Sequence, residues 1–253
     1  MGALHEGHMA LVKQGLQKCD VIVASIFVNP LQFNNPEDLK NYPRDEKADL
    51  EYLEKKGCHV VFIPTKEEFY PDQTSVLKID FGSLALPLEG AHRPGHFSGV
   101  AVVLSKLFNC VSPSMAFFGK KDIQQLAVVR KLVHDLNVPV GIIGVETMRD
   151  QNGLALSSRN QLLTSEQREE ASMIFKSLKE LVEKISQGEN LEEAKTSFLN
   201  VFRELPNFVP EYIEIVDEYT MQPIDSYEDS GSFAACTAVM MHGVRLIDNI
   251  TFQ

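Results

Sequence analysis

The chain has 253 residues, 44% hydrophobic and 23% charged, with a net charge of −11. That is room for one large or two modest soluble domains. The acidic balance argues against non-specific binding to nucleic acid or a membrane surface.

No apolar run approaches the roughly 18 residues of a membrane span, and no basic-then-apolar leader opens the chain. The expected location is the cytoplasm. Cys19, Cys58, Cys110 and Cys236 form no C-x-x-C pair and are expected to be buried, reduced thiols.

Met1 to His8 reads MGALHEGH. A helix starting near Gly7 sets His5 and His8 together at its N-terminus, where unpaired N–H groups and the dipole favour an anion. Gly2 and Gly7 leave room for a phosphate to approach the backbone. The helix runs to Leu16 with Met9, Leu11, Val12 and Leu16 inward. Asp20 to Phe27 is a nearly unbroken apolar run, suiting a parallel strand covered on both faces. Asn29 and Gln32 follow its C-terminal end, where open α/β sheets bind ligands. Asn29 before Pro30 is equally a plain turn residue.

Pro36 to Lys40 predicts a helical turn. Arg44 to Lys56 predicts an amphipathic helix burying Ala48, Leu50, Tyr52 and Leu53. Cys58 to Ile63 reads as a second buried strand and Ser75 to Ile79 as a third. Leu84 to Gly95 is a glycine- and proline-rich loop crowding Glu89, His92 and Arg93 against His96, the makings of a site or a lid. A helix from His96 to Asn109, a strand from Met115 to Phe118 and a helix from Ile123 to Leu136 follow. Between the last two lie Gly119 and Lys120-Lys121-Asp122. A lysine at a helix start opposes the dipole, which favours a phosphate beside Lys121; Asp122 reads equally as an N-cap.

Pro139 to Thr147 is the last strand of an expected first domain, residues 1–150. The polar stretch Arg149 to Gly153 leads into a second, residues 151–253. Its elements are a long helix, Thr164 to Gln187, opening on a capping-box pattern, and a helix from Leu191 to Phe202. Strands are read at Glu211–Val216, Phe233–Met241 and Val244–Asp248, the last two joined by a hairpin at His242-Gly243. The β–α alternation predicts an α/β fold: a Rossmann-like, doubly wound parallel sheet followed by a smaller α+β domain. Lys120, Lys121, Arg149 and Arg159 are the cations available to gather at an anion.

Several blocks stand in a fixed order: MGALHEGH, FVNPLQF from Phe27, YPR from Tyr42, LEGAHRPGHF from Leu88, FGKKDIQQL from Phe118, GLALSSRN from Gly153 and RLIDN from Arg245. Together they resemble the pantothenate synthetase (pantoate–β-alanine ligase) family of the H-x-G-H nucleotidyltransferase superfamily, over nearly the whole chain. The resemblance implies ligation of pantoate and β-alanine with ATP through pantoyl adenylate, releasing pyrophosphate and AMP. It implies Mg2+ as the partner of ATP, with no metal site built by the protein, and a homodimer.

Carried over position by position, it implies catalytic roles for His8 (acid or proton donor), His5 and Lys121. Nucleotide contacts fall at Met1, Gly2, His5, His8, Gly119, Lys120, Lys121, Asp122, Met148, Leu156, Ser157, Ser158 and Arg159. Pantoate contacts fall at Gln32 and Gln125, supported by Asn29, Arg93 and His96. Histidine's ordinary pKa near 6.5 suggests that His8 supplies charge or a proton near neutrality. Asn152 sits where the family often has an acidic residue, and no role is assigned to it. In the family a central strand precedes the methionine of the first motif. The expectation is either a start further upstream or a sheet that copes without that strand. A cytidylyl- or adenylyl-transferase of the same superfamily, and a nucleotide-binding protein without catalysis, are the competing readings.

Overall fold

The computed structural model describes residues 1–72, 77–227 and 231–253. The first domain runs α1 (Glu6–Leu16), β1 (Val23–Ser25), α2 (Pro36–Asn41), α3 (Glu46–Lys55), β2 (Val60–Phe62), α4 (Lys66–Phe69), α5 (Glu89–His92), α6 (His96–Val111), β3 (Met115–Gly119), α7 (Ile123–Asp135) and β4 (Gly141–Val145). The second runs α8 (Ser165–Ala171), α9 (Met173–Ser186), α10 (Leu191–Arg203), β5 (Phe208–Asp217), β6 (Phe233–Met241) and β7 (Val244–Phe252). Short 3-10 turns at Pro30–Gln32, Gly82–Ala85, Lys120–Asp122 and Ser158–Leu162 lie between them.

The first domain is the expected Rossmann-like α/β unit, with its described strands in two parallel pairs. β1 pairs with β2, Val23 opposite Val60; β3 pairs with β4, Met115 opposite Gly141. β1 is shorter than the predicted run, and Val21 and Val23 are exposed rather than covered on both faces. Among the described residues β1 and β3 are not paired with each other, and both line a shared cavity. Met1 pairs with β1, its amine donating to Ser25 O at 2.9 Å and its carbonyl accepting from Phe27 N at 3.0 Å. Those two bonds are one rung of a parallel ladder.

Other departures have local causes. Of the predicted strand Ser75–Ile79, Ser75 and Val76 lie outside the described residues, and Leu77 to Ile79 form no strand. In α3 it is Asp49 and Leu53 that are buried, while Ala48 is exposed. In α1 Leu16 is exposed and Gly15 buried, where a Cβ would stand 2.7 Å from Ile22 Cδ1. Cys110 is exposed, and all four thiols are free. The long helix predicted from Thr164 keeps its capping box, Thr164 with Gln167, but breaks at Ser172. The Ser172 hydroxyl donates to Glu169 O at 2.6 Å, competing with the helical ladder.

In the second domain Ile174, Leu178, Leu181 and Ile185 of α9 and Phe198 and Phe202 of α10 pack on Ile213, Ile215 and Val239 of the antiparallel sheet β5-β6-β7. Each fully buried side chain of this size contributes about 1.5–3 kcal/mol. The β6–β7 turn takes positive φ at His242 (47°) and Gly243 (77°), the geometry of a two-residue hairpin. Leu84, Leu88, Phe97, Ile123 and Val128 of the first domain pack on Val216, Met221, Ala234 and Cys236 of the second, seating the β-sheet beside α7. No helix among the described residues is long and apolar enough to cross a membrane.

Candidate active site

One cavity of about 720 Å3 lies across the first domain and its junction with the second. His5 and His8 stand at its wall with ring centroids 4.1 Å apart. His5 is the N-cap of α1; its Nδ1 accepts from Gly7 N at 3.2 Å, and His8 Nδ1 accepts from His5 N at 3.4 Å. Each Nδ1 is thus an acceptor facing a backbone N–H, so each ring carries its proton on Nε2. Protonating Nδ1 would set a donor against a donor. Burial, with Lys121 adding to it, lowers the His5 pKa to about 4. Burial, then the neighbouring His5 and the N-terminal amine, holds His8 well below its ordinary value. The value near 6.5 expected from sequence is therefore corrected: both imidazoles are neutral Nε2–H donors in the free protein.

The backbone leading into these histidines is tied down by a residue outside the helix face expected to be buried. Asp49, buried on α3, accepts from Ala3 N at 2.9 Å and Leu4 N at 2.7 Å. Ala3 has φ of 49°, so the turn is strained and needs that hold. At Gly7 a Cβ would meet the His5 ring at 2.8 Å, so a side chain there would push on the His5 imidazole; Leu156 Cβ, at 3.5 Å, would be in ordinary contact.

That loop completes one wall. Leu156, Ser157, Ser158 and Arg159 line the cavity with Met1, His5, His8 and Met148. Ser157 caps the turn by accepting from Arg159 N, buried Ser158 meets Tyr42 OH at 2.9 Å, and Arg159 pairs with Asp38 at 2.8 Å. Tyr42 and Asp38, on and just after α2, are contacts that local pattern did not reveal. Opposite, Gly119, Lys121, Asp122 and Gln125 line the same space. Nothing stands within 4 Å of where a Gly119 Cβ would be. Lys121 Nζ lies 3.5 Å from Asp122, which occupies the N-cap position of α7 without a side-chain cap bond.

At the other end Asn29 is buried and fully engaged: it donates to Gly99 O at 3.0 Å and Gln32 Oε1 at 3.4 Å, and accepts from Tyr70 OH at 2.8 Å. It fixes Gln32 rather than facing the cavity with a free group. Gln32 O accepts from His96 Nδ1 at 2.8 Å and Arg93 Nη2 at 3.2 Å. Burial, and then Arg93, lowers the His96 pKa to about 4, leaving a neutral ring. Arg93 meets Glu89 at 3.7 Å, and Glu89 takes Arg245 through two bonds, 2.7 and 2.9 Å, and Tyr212 OH at 2.9 Å. Burial alone would raise the Glu89 pKa, but Arg245 overrides it and the net shift is down.

Three expected members stand apart. Gly2 and Lys120 do not line the cavity, and Lys120 is paired with Glu146. Arg149, counted among the cations, is committed elsewhere: it holds Asp248 at 2.6 and 2.8 Å and lies 3.5 Å over the Phe175 ring. Asn152 is exposed, its N–H donating to Asp150. Among the described residues no cluster of His, Cys, Asp or Glu has the makings of a metal site.

Fold and site together describe a Rossmann-like α/β protein whose cleft is lined by His5, His8, Lys121, Arg93 and Arg159. Family comparison narrows this. The model of the pantoate–β-alanine ligase family matches residues 1–251. The pantothenate synthetase of Cytophaga hutchinsonii is 47% identical, over 99% of this chain and 88% of that one. The pantothenate synthetase of Pseudomonas fluorescens is 46% identical over 99% and 87%. Among solved structures, pantothenate synthetase from Thermus thermophilus superposes with a TM-score of 0.91 at 41% identity, covering 99% of this chain and 90% of that one. Pantoate–β-alanine ligase from Francisella tularensis, complexed with β,γ ATP and β-alanine, gives 0.79 at 35% identity over 99% and 86%. The chain belongs to the pantoate–β-alanine ligase family.

Proposed function

We propose that the chain joins (R)-pantoate to β-alanine with ATP through a pantoyl adenylate. The pantoate carboxylate attacks the α-phosphorus, the bond to the bridging oxygen breaks, and pyrophosphate leaves. The β-alanine amine then attacks the acyl carbon, the acyl–oxygen bond breaks, and AMP leaves. The first step sets an anion against an anion, so positioning and charge stabilisation carry it.

The observation that carries this reading is the meeting of His5, His8, Lys121 and Ser157–Arg159 on one cavity that also takes in Gln32 and Gln125. The imidazoles donate Nε2–H to the phosphates without adding charge of their own, so His8 acts as a hydrogen-bond donor. Lys121 lies between phosphate and carboxylate. Met1, Gly119, Asp122, Met148 and Leu156 flank the nucleoside, and the Ser-Ser-Arg turn faces the leaving pyrophosphate. Amides at Gln32 and Gln125 suit a hydroxy acid because each offers donor and acceptor. The Gln125 side chain makes no hydrogen bond among the described residues. Arg93 and His96 hold Gln32 in place. Mg2+, on phosphate and water oxygens, would neutralise the triphosphate.

The assignment extends to a cytoplasmic homodimer of subunits divided near residue 150.

The test follows AMP with ATP, pantoate and β-alanine, each omitted in turn. AMP is expected only with all three, and pyrophosphate with ATP and pantoate alone. Nucleotide transfer that needs no pantoate would replace this reading by that of a different nucleotidyltransferase.

A further inference from the structure

The RLIDN block has a second role beyond marking the family. Arg245, Asp248 and Asn249 lie on β7, in the second domain, yet each side chain has partners in the first domain or the linker after it. The buried Asn249 amide donates to Lys120 O at 3.0 Å and Lys121 O at 2.8 Å. Those carbonyls belong to the 3-10 turn that presents Lys121 to the cavity. Beside it, Asp248 grips Arg149, which also donates to Gly153 O at 3.1 Å, in the segment leading to Ser157. One strand thus ties together the lysine turn and the approach to the Ser-Ser-Arg loop.

A three-residue 3-10 turn has few bonds of its own. With both carbonyls held by one planar amide, the backbone at Lys121 has a defined orientation, and with it the start of the lysine side chain. We propose that Asn249 is a positioning residue for Lys121, acting through the 120–121 carbonyls in the adenylation step. The inference rests on the adenylation reading above. Misplacing a reacting group by about 1 Å costs on the order of 100-fold, so loss of the amide should reach an appreciable part of what loss of the lysine costs.

The experiment is pantoate-dependent ATP–pyrophosphate exchange in the full chain, read as a double-mutant cycle. Asn249→Leu keeps the shape and removes the donors; Lys121→Met removes the ammonium. Asn249→Leu is expected to lower exchange about 30-fold, and Lys121→Met about 100-fold. The double variant should fall no more than about 3-fold below Lys121→Met, because a positioning residue has nothing left to position. Asn249→Asp, the same size but with acceptors facing two carbonyls, is the second variant and should behave alike. Losses that multiply in the double variant, or wild-type exchange in both Asn249 variants, would overturn the proposal. Absence of exchange in the wild type would instead remove the adenylation reading, and this inference with it.

Discussion

Replacing Asp49 with alanine separates the hold on the histidine motif from the motif itself. The carboxylate accepts from Ala3 N and Leu4 N at 2.9 and 2.7 Å, both in buried surroundings. Leaving a buried donor unpaired costs about 1–3 kcal/mol. Two such donors, with partial relief by water, put the loss at about 2–4 kcal/mol. For a chain of this size about 1 kcal/mol moves Tm by roughly 2–4 °C, so a fall of about 4–16 °C is expected. Asp49→Asn keeps one acceptor oxygen and turns an NH2 toward the second N–H, so it should lose about half as much. Activity should fall with stability measured separately, because residues 3 and 4 lead straight into the His5 cap. Calorimetry and urea melts measure the first effect; pyrophosphate release at 25 °C, where both variants are folded, measures the second. An alanine variant within about 0.5 kcal/mol of wild type, or an asparagine variant no better than alanine, would refute the reasoning.

Gly99→Ala sets a Cβ 2.2 Å from Leu31 O; the α6 approach to the Pro30–Gln32 turn should open, costing about 3 kcal/mol or more by overpacking, seen as a lower Tm and a raised KM for pantoate. Arg245→Met leaves Glu89 buried without its two charged bonds and should cost about 3–5 kcal/mol in a urea melt. The histidines set a pH dependence. His5 and His96 titrate near 4 when folded against 6.5 otherwise, so between those values the unfolded chain binds more protons and unfolding takes protons up. Stability therefore falls as pH drops from about 6.5 to 4. Melts across that range should show it, and replacing His96 with glutamine should flatten the slope; a pH-independent Tm would contradict the assignment.

Much of this protein is written locally. The β–α alternation, the Thr164–Gln167 capping box, the hairpin at His242-Gly243 and the ordered motif blocks depend on near neighbours and on period, which a chain displays before it folds. So the α/β class and the second domain's sheet were legible from order and spacing, while most residues of the cleft came from the family resemblance that the motif blocks carry. What spacing could not supply is anything set by distant partners. Asp49 drew no reading from its helix pattern, because the two backbone donors that it accepts from lie on another segment. The protonation of His5 and His8 follows from burial and from which ring nitrogen faces an N–H. Arg149 looked like a phosphate ligand until Asp248, far along the chain, claimed it. The RLIDN side chains likewise gained their meaning only when β7 was laid against the Lys120–Asp122 turn. Local periodicity records which face of an element is apolar; only packing brings together charges and carbonyls that are a hundred residues apart.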